Sequence, residues 1–469
     1  MFTILIFLLL STAAPAQEIP VSKEILKVTL PKPLEFHLDN GLTVLVIEDH
    51  RFPEITMRLQ IRGAGSVFDP PGMAGLANAT AGMLSQGTGS QTAVQISAQR
   101  NLLSADIYGY APASSLETIF HMAGTSETFD RWLKLGIYQL LHPAFPEEEW
   151  NKTRKQWLAN LQRQRGDSTN LASQHFNRAV FGVHPAGAVT TAASLEAIGI
   201  DAMKKWHEER YAPQNAILGV VGDVKAAKLL PRLQAAFASW KKNGYQVQPI
   251  PDTRASGEPR IQIVDRPGAV QTTLLAGHIA VGRRDPDYEA VQVMMRILDV
   301  NVRQTLAQEH GYSYIMAVSA KASAGEFAGP WQVQASFRAE AAADAIREVF
   351  SEIRQLRGEA AREKVRPAAR VENRRQNLAG GFAFSLERPD QLLQYAMDRK
   401  TYNFPEDYWD SYVSRILAVT EADVQRMARK YLDPGTMHVV AVGDSSKLRP
   451  VLEKYGKVVI FDTGGKVLP

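Results

Sequence analysis

Two stretches of the chain share one pattern of apolar and polar positions. The first reads Tyr211-Ala-Pro-Gln-Asn-Ala-Ile-Leu-Gly-Val-Val-Gly-Asp223, the second Tyr431-Leu-Asp-Pro-Gly-Thr-Met-His-Val-Val-Ala-Val-Gly-Asp444. Each follows an amphipathic, helical stretch, Asp201 to Arg210 and Glu421 to Lys430, and each Gly-Asp precedes another. A short apolar run bounded by turn residues reads as a buried strand. The spacing is about 220 residues, far too long for a solenoid repeat. It predicts two homologous domains, each ending helix, turn, buried strand, turn, helix.

The openings of the halves agree more loosely. Phe36 to Glu48 carries Asp39-Asn40-Gly41 between apolar stretches, a hairpin signal. Glu54 to Ile61 alternates as a half-buried strand does. In the second half, Arg260 to Val264 and Thr272 to His278 occupy similar places, with Asp265-Arg-Pro-Gly268 as the turn. Helical runs follow, Ala74 to Ser85 and Pro286 to Leu298. Strands and helices come in clusters, which predicts an α+β class. The stretch 241–258 is rich in Pro, Gly and polar residues and reads as a linker. The expected domains are therefore 20–240 and 259–465.

Composition narrows the picture. The chain has 469 residues, 45% of them hydrophobic, enough for two or three cored domains. A formal charge of +4 is mild at this length, and no Lys/Arg block is interleaved with aromatics, so nucleic acid is not an expected partner. There is no cysteine, which excludes disulfides, thiol catalysis and Cys-zinc sites. Phe2 to Leu10 is an apolar run followed by Ala14-Pro15-Ala16, the form of a cleaved export signal over 1–16. The run is too short to span a bilayer comfortably, and no other stretch approaches that length, so no transmembrane segment is expected in the mature chain. Export without disulfides fits a Gram-negative periplasm.

The informative segment is Gly72 to Thr88, Gly-Met-Ala-Gly-Leu-Ala-Asn-Ala-Thr-Ala-Gly-Met-Leu-Ser-Gln-Gly-Thr. It resembles the zinc motif of the M16 (insulinase, pitrilysin, mitochondrial processing peptidase-like) metallopeptidases, Gly-Leu-Ala-His-x-x-Glu-His-Met-Leu-x-x-Gly-Thr. The frame survives as Gly75, Leu76, Ala77, Met83, Leu84, Gly87 and Thr88. The chemistry does not. Asn78 stands at the first histidine, Ala81 at the glutamate and Gly82 at the second histidine. Two histidines on successive turns of a helix hold zinc, and the glutamate takes a proton from the metal-bound water. Alanine and glycine do neither, and an amide oxygen is poorly matched to zinc. The family's third ligand, a glutamate on a later helix, falls at Leu158-Ala159-Asn160-Leu161, again without a carboxylate. Glu147 to Glu149 suit a helix N-terminus instead. No two of the ten histidines are three or four residues apart, and no Gly-x-Ser-x-Gly, P-loop or Gly-x-Gly-x-x-Gly is present.

The resemblance runs from about Leu34 to Asp444. It implies two processing-peptidase-like (LuxS-like) domains, each a mostly antiparallel sheet packed with helices. In the family's second half an Arg and a Tyr seven residues apart position the peptide. Here Tyr314 fills the tyrosine position and Ala307 the arginine position, with Arg303 one helical turn earlier. The family's glycine-rich stretch before this segment is replaced by Leu298-Asp-Val-Asn301. A strand near Ser104 to Tyr110, including Ala105 and Tyr108, would offer a sheet edge to extended peptide.

These implications amount to a non-catalytic subunit with no cofactor of its own. It would pair as a heterodimer with an M16 chain that has an intact His-x-x-Glu-His and carries the zinc. Together they would enclose a chamber for peptide or unfolded polypeptide. The alternatives are a stand-alone peptide-binding scaffold and a zinc metalloendopeptidase with an atypical site.

Overall fold

The computed structural model describes residues 29–253, 260–360 and 367–469. The expected export signal, residues 20–28 of the first expected domain and residues 254–258 of the expected linker lie outside them. The first half runs β1 (Leu34–His37), β2 (Thr43–Glu48), β3 (Glu54–Arg62), α1 (Leu76–Met83), α2 (Ala93–Leu102), β4 (Asp106–Tyr110) and β5 (Glu117–Thr125). It continues with α3 (Phe129–Leu141), α4 (Glu147–Gln164), α5 (Ser168–Phe181), α6 (Ala192–Ala197), α7 (Ile200–Arg210), β6 (Ala216–Gly222) and α8 (Ala226–Ala236). The second half runs β7 (Ile261–Asp265), β8 (Gln271–Ile279), α9 (Tyr288–Arg303), β9 (Val318–Ala322), β10 (Pro330–Arg338), α10 (Ala342–Leu356) and α11 (Pro367–Ser385). It ends with α12 (Pro389–Thr401), α13 (Tyr412–Ala418), α14 (Glu421–Tyr431), β11 (His438–Gly443), α15 (Ser445–Leu452), β12 (Val458–Phe461) and β13 (Val467–Leu468). Among the described residues no helix is long and apolar enough to cross a membrane.

The class is α+β, with two mostly antiparallel sheets packed by helices. The strand orders are β1-β2-β6-β3-β5-β4 and β13-β12-β7-β11-β8-β10-β9. The repeated strands β6 and β11 hold equivalent central places. Each is parallel to one neighbour, β2 or β7, and antiparallel to the other, β3 or β8. Asp39-Asn40-Gly41 closes the β1–β2 hairpin, with Gly41 at φ +84°, a conformation that favours glycine. The Asp265–Gly268 turn joins β7 to β8, but those strands do not pair with each other. β11 lies between them, because a strand buried along its whole length needs neighbours on both sides.

Each sheet has a helical layer on one face. The first packs α1, α3, α7 and α8 over Val44, Met57, Leu59 and Leu218. The second packs α9, α10 and α14 over Ile263, Leu274 and Val439. The other face is covered by a helix borrowed from the opposite half. α5 lays Leu171, Phe176 and Val180 on Leu275, Val440 and Val442 of the second sheet. α12 returns Leu392, Leu393, Ala396 and Met397 to Leu45, Ile47, Ile217 and Val221 of the first. α5 sets Ala172, Phe176 and Val180 at i, i+4 and i+8, and α12 pairs Leu392 with Ala396 and Leu393 with Met397 at i and i+4, the spacing of one helix face. A Cβ on Gly219 of β6 would lie 2.6 Å from Leu393 Cδ1 and 2.7 Å from Met397 Sδ. Glycine is what lets α12 come this close.

Candidate functional site

The altered motif lies on α1. Asp69 caps that helix, its two carboxylate oxygens accepting from the Gly75 and Ala77 amides at 2.7 and 2.8 Å. Burial pushes the Asp69 carboxyl up to about 6, despite these two donors. Asp69 was not singled out from the sequence. The signal was there, an acid in a Pro-rich turn just ahead of an apolar helical run, but it lies six residues before the first amide it caps.

α1 packs tightly against β4. A Cβ on Gly109 would meet the Ala81 carbonyl oxygen at 2.6 Å, so helix and strand touch backbone to backbone. Asn78 Oδ1 accepts from the Ala111 amide, just beyond β4, at 3.1 Å. The side chain at the first histidine position therefore fastens helix to sheet. Ala81 is fully buried, whereas a Cβ on Gly82 would meet nothing within 4 Å. One turn of helix thus presents a committed amide, a buried methyl and an open gap.

Ala159 and Asn160 lie on α4, both exposed. Asn160 Oδ1 accepts from Arg163 of the same helix at 3.4 Å. Trp150 anchors α4, its indole donating to the Ile198 carbonyl at 3.0 Å. Glu147 to Glu149 begin the helix, and Lys152 pairs with Glu148 and Glu149 at 2.9 and 3.0 Å. The five positions supply two amide oxygens and no imidazole or carboxylate, so zinc does not fit these residues. Among the described residues no group of three or more His, Asp or Glu is placed to hold a metal.

β4 is the outermost strand of its sheet and pairs only with β5 among the described residues. Its free side carries backbone groups that an extended chain could join. Ala105 immediately precedes the strand, half-buried against the core. Tyr108 and Tyr110 stand exposed on one face, their rings 5.8 Å apart. His121 of β5 lies against Tyr108 at 4.9 Å. Burial lowers the His121 pKa and raises that of Tyr108, favouring the neutral form of both.

In the second half, Leu298-Asp-Val-Asn301 is unbroken helix. α9 runs through it to Arg303 and continues as a π-helical stretch, Gln304–Glu309, which contains Ala307. The helix is longer than the Pro286–Leu298 run read from the sequence, and no glycine is present to end it. Asp299 is nearly buried and accepts from the Ala320 amide of β9 at 2.9 Å. Its carboxylate also binds Arg296 and Arg303 at 3.1 and 3.0 Å. Arg303 is thus turned toward Asp299. Tyr314 is 81% exposed. The structure therefore brings Asn78, Ala81, Gly82, Ala105 and Tyr108 together around α1 and β4, and places Arg303 and Tyr314 on the second domain.

Residues 197–368 match the family described as "Peptidase M16 inactive domain". A Rickettsia bellii protein named "Uncharacterized zinc protease" is 24% identical over 204 residues, which is 43% of this chain and 49% of that protein. A Mycobacterium leprae protein of similar name is 23% identical over 63% of this chain and 71% of its own length. The chain thus covers about half of the first of these relatives. Among solved structures, a peptidase M16 inactive domain from Pseudomonas fluorescens superposes with TM-score 0.77 at 22% identity, covering 88% of this chain and 98% of that one. The periplasmic protease PqqL of Escherichia coli gives 0.72 at 12% identity, covering 93% of this chain and 49% of that one.

Proposed function

We propose that this chain is a non-catalytic subunit of the M16 family, a reading supported by the match of residues 197–368 to the peptidase M16 inactive domain and by a fold shared with a solved M16 inactive domain. It pairs with a zinc-bearing M16 chain and forms one wall of a chamber that holds peptide. The observation that carries this reading is the state of α1. Asn78 is committed to the Ala111 amide, Ala81 is buried and Gly82 has no side chain. No base or ligand can act from such a helix, while the free edge of β4 beside it keeps the means to bind an extended chain. Tyr314, projecting into solvent, supports a contribution to a site completed by the partner. The zinc belongs to that partner. We place the assembly in the periplasm, the compartment named for the Escherichia coli structural relative.

The test is to purify the chain and assay zinc and peptidase activity, alone and mixed with an M16 chain bearing His-x-x-Glu-His from the adjacent reading frame. We expect no stoichiometric zinc in this chain and cleavage only in the mixture. Stoichiometric zinc with chelator-sensitive cleavage by this chain alone would overturn the reading. Peptide binding without any association with an M16 partner would instead identify a stand-alone scaffold.

A further inference from the structure

The two halves meet along a seam that neither the altered motif nor the edge strand uses. A polar cavity of about 500 Å³ opens there, between the loop leading into β5, helix α5 and the β9–β10 hairpin. Glu117 stands on its first-half wall and Glu326 on its second-half wall. Strand register sets Arg62 of β3 opposite Glu117 of β5, and register alone would pair them. The guanidinium goes elsewhere. Arg62 Nη2 reaches across the seam to Glu326 Oε2 at 2.6 Å.

Glu117 is left with a single side-chain donor, the Ser115 hydroxyl at 3.3 Å. Among the described residues no Lys, Arg or His comes within ion-pair distance of it. Burial raises its carboxyl pKa, the nearby Glu326 and Asp398 carboxylates add to the rise, and Arg62 and the Ser115 hydroxyl offset it only in part. A buried carboxylate without a cation is costly unless something supplies one. The surrounding wall offers oxygen acceptors from Ser114, Ser323, Asn177 and Gln332, suited to the remaining N–H groups of a multi-donor cation. Lys321, exposed at the rim, opposes entry of positive charge.

We infer that this seam cavity is a cation-binding site, in which Glu117 receives the ammonium or guanidinium of a Lys or Arg side chain of a bound polypeptide. The polypeptide guest rests on the peptide-holding reading above. The site itself rests on the cavity and the unpaired Glu117. Bound there, a basic side chain would bridge the halves beside the Arg62–Glu326 pair.

The test is calorimetric titration of the full chain with agmatine, which carries a guanidinium and an ammonium on a short stem. We expect one site per chain, affinity that tightens as pH rises and Glu117 ionises, and weakening of about tenfold or more in Glu117→Gln. Lys321→Gln, at an exposed position, should tighten binding. No heat at millimolar agmatine, or equal binding by Glu117→Gln, would overturn the site. An Arg-containing peptide should displace agmatine, and its norleucine counterpart should not. Agmatine binding that depends on Glu117 but yields to no peptide would leave the cation site standing and overturn the peptide guest. Binding of both peptides with no effect on agmatine would separate the two in the same way.

Discussion

At the scale of single residues, the letters at the motif are integrated into the fold. Asn78 bonds to the Ala111 amide and Ala81 lies fully buried. Placing a carboxylate at the motif's glutamate position should therefore be harmful. Ala81→Glu would place a carboxylate where no water or cation reaches it, and should lower unfolding free energy by about 3 kcal/mol or more, read from the midpoint of urea denaturation. A shift of only a few tenths would mean that the helix face opens readily. His438 makes a second residue-scale prediction. Its ring is fully buried against His278, at 5.7 Å, and neither nitrogen has a hydrogen-bond partner among the described residues. Burial lowers its pKa to about 4, and that of His207 likewise to about 4. A depressed histidine stays neutral in the fold while the unfolded chain takes up protons. The stability it contributes is complete above the unfolded value near 6.5 and is lost as pH falls toward 4. His438→Leu should raise the melting temperature at pH 7 and flatten its decline between pH 6.5 and 4, with His207, His121 and His175, all lowered by burial, contributing to the slope that remains. An unchanged slope would show that His438 does not carry that loss.

At the scale of elements, the close approach of α1 to β4 depends on Gly109, which faces the Ala81 carbonyl beside the Asn78 clamp on Ala111. Gly109→Ala would drive a methyl to within 2.6 Å of the Ala81 carbonyl oxygen, and neither backbone has a soft way to yield. We expect a loss of about 1–3 kcal/mol and weaker peptide binding along the β4 edge, measured by denaturation and by titration with an extended peptide. Full stability in this variant would argue that the helix and strand are free to separate. Much at this scale was legible. The Asp39-Asn40-Gly41 hairpin, the alternating β3 and the buried β6 and β11 stand where apolar spacing puts them, because those signals are local. The end of α9 was not. A helix stops where a turn residue or an unsatisfied carbonyl makes it stop, and the Asp299 link to β9 holds this one through Arg303.

At the scale of the molecule, the exchange of α5 and α12 makes the halves interdependent. Without α12, Leu45, Ile47, Ile217 and Val221 would form an exposed apolar patch on the first sheet, and without α5 the second sheet would bare Leu275, Val440 and Val442. The chain should unfold in one calorimetric transition. Leu393→Ala, in a helix of the second half, should cost about 2–5 kcal/mol and lower the melting of the first half with it. Two separated transitions, with only one displaced by Leu393→Ala, would refute this coupling. The domain order read from the repeat says nothing of this exchange, since an apolar helix face shows that it is buried and not on which sheet.

The α+β class and the repeat of Tyr211–Asp223 at Tyr431–Asp444 were legible from local apolar spacing. The absence of zinc-binding letters at Asn78, Ala81 and Gly82 was legible only against the M16 motif that the segment resembles. Only the folded chain shows that Asn78 serves as a clamp on Ala111, and that Arg62 crosses the seam to Glu326 and leaves Glu117 without a cation. Those outcomes depend on which charged and polar groups the folded chain brings within a few ångströms. Asn78 and Ala111 lie 33 residues apart and Arg62 and Glu326 lie 264 apart, and such partners leave no mark on the local pattern.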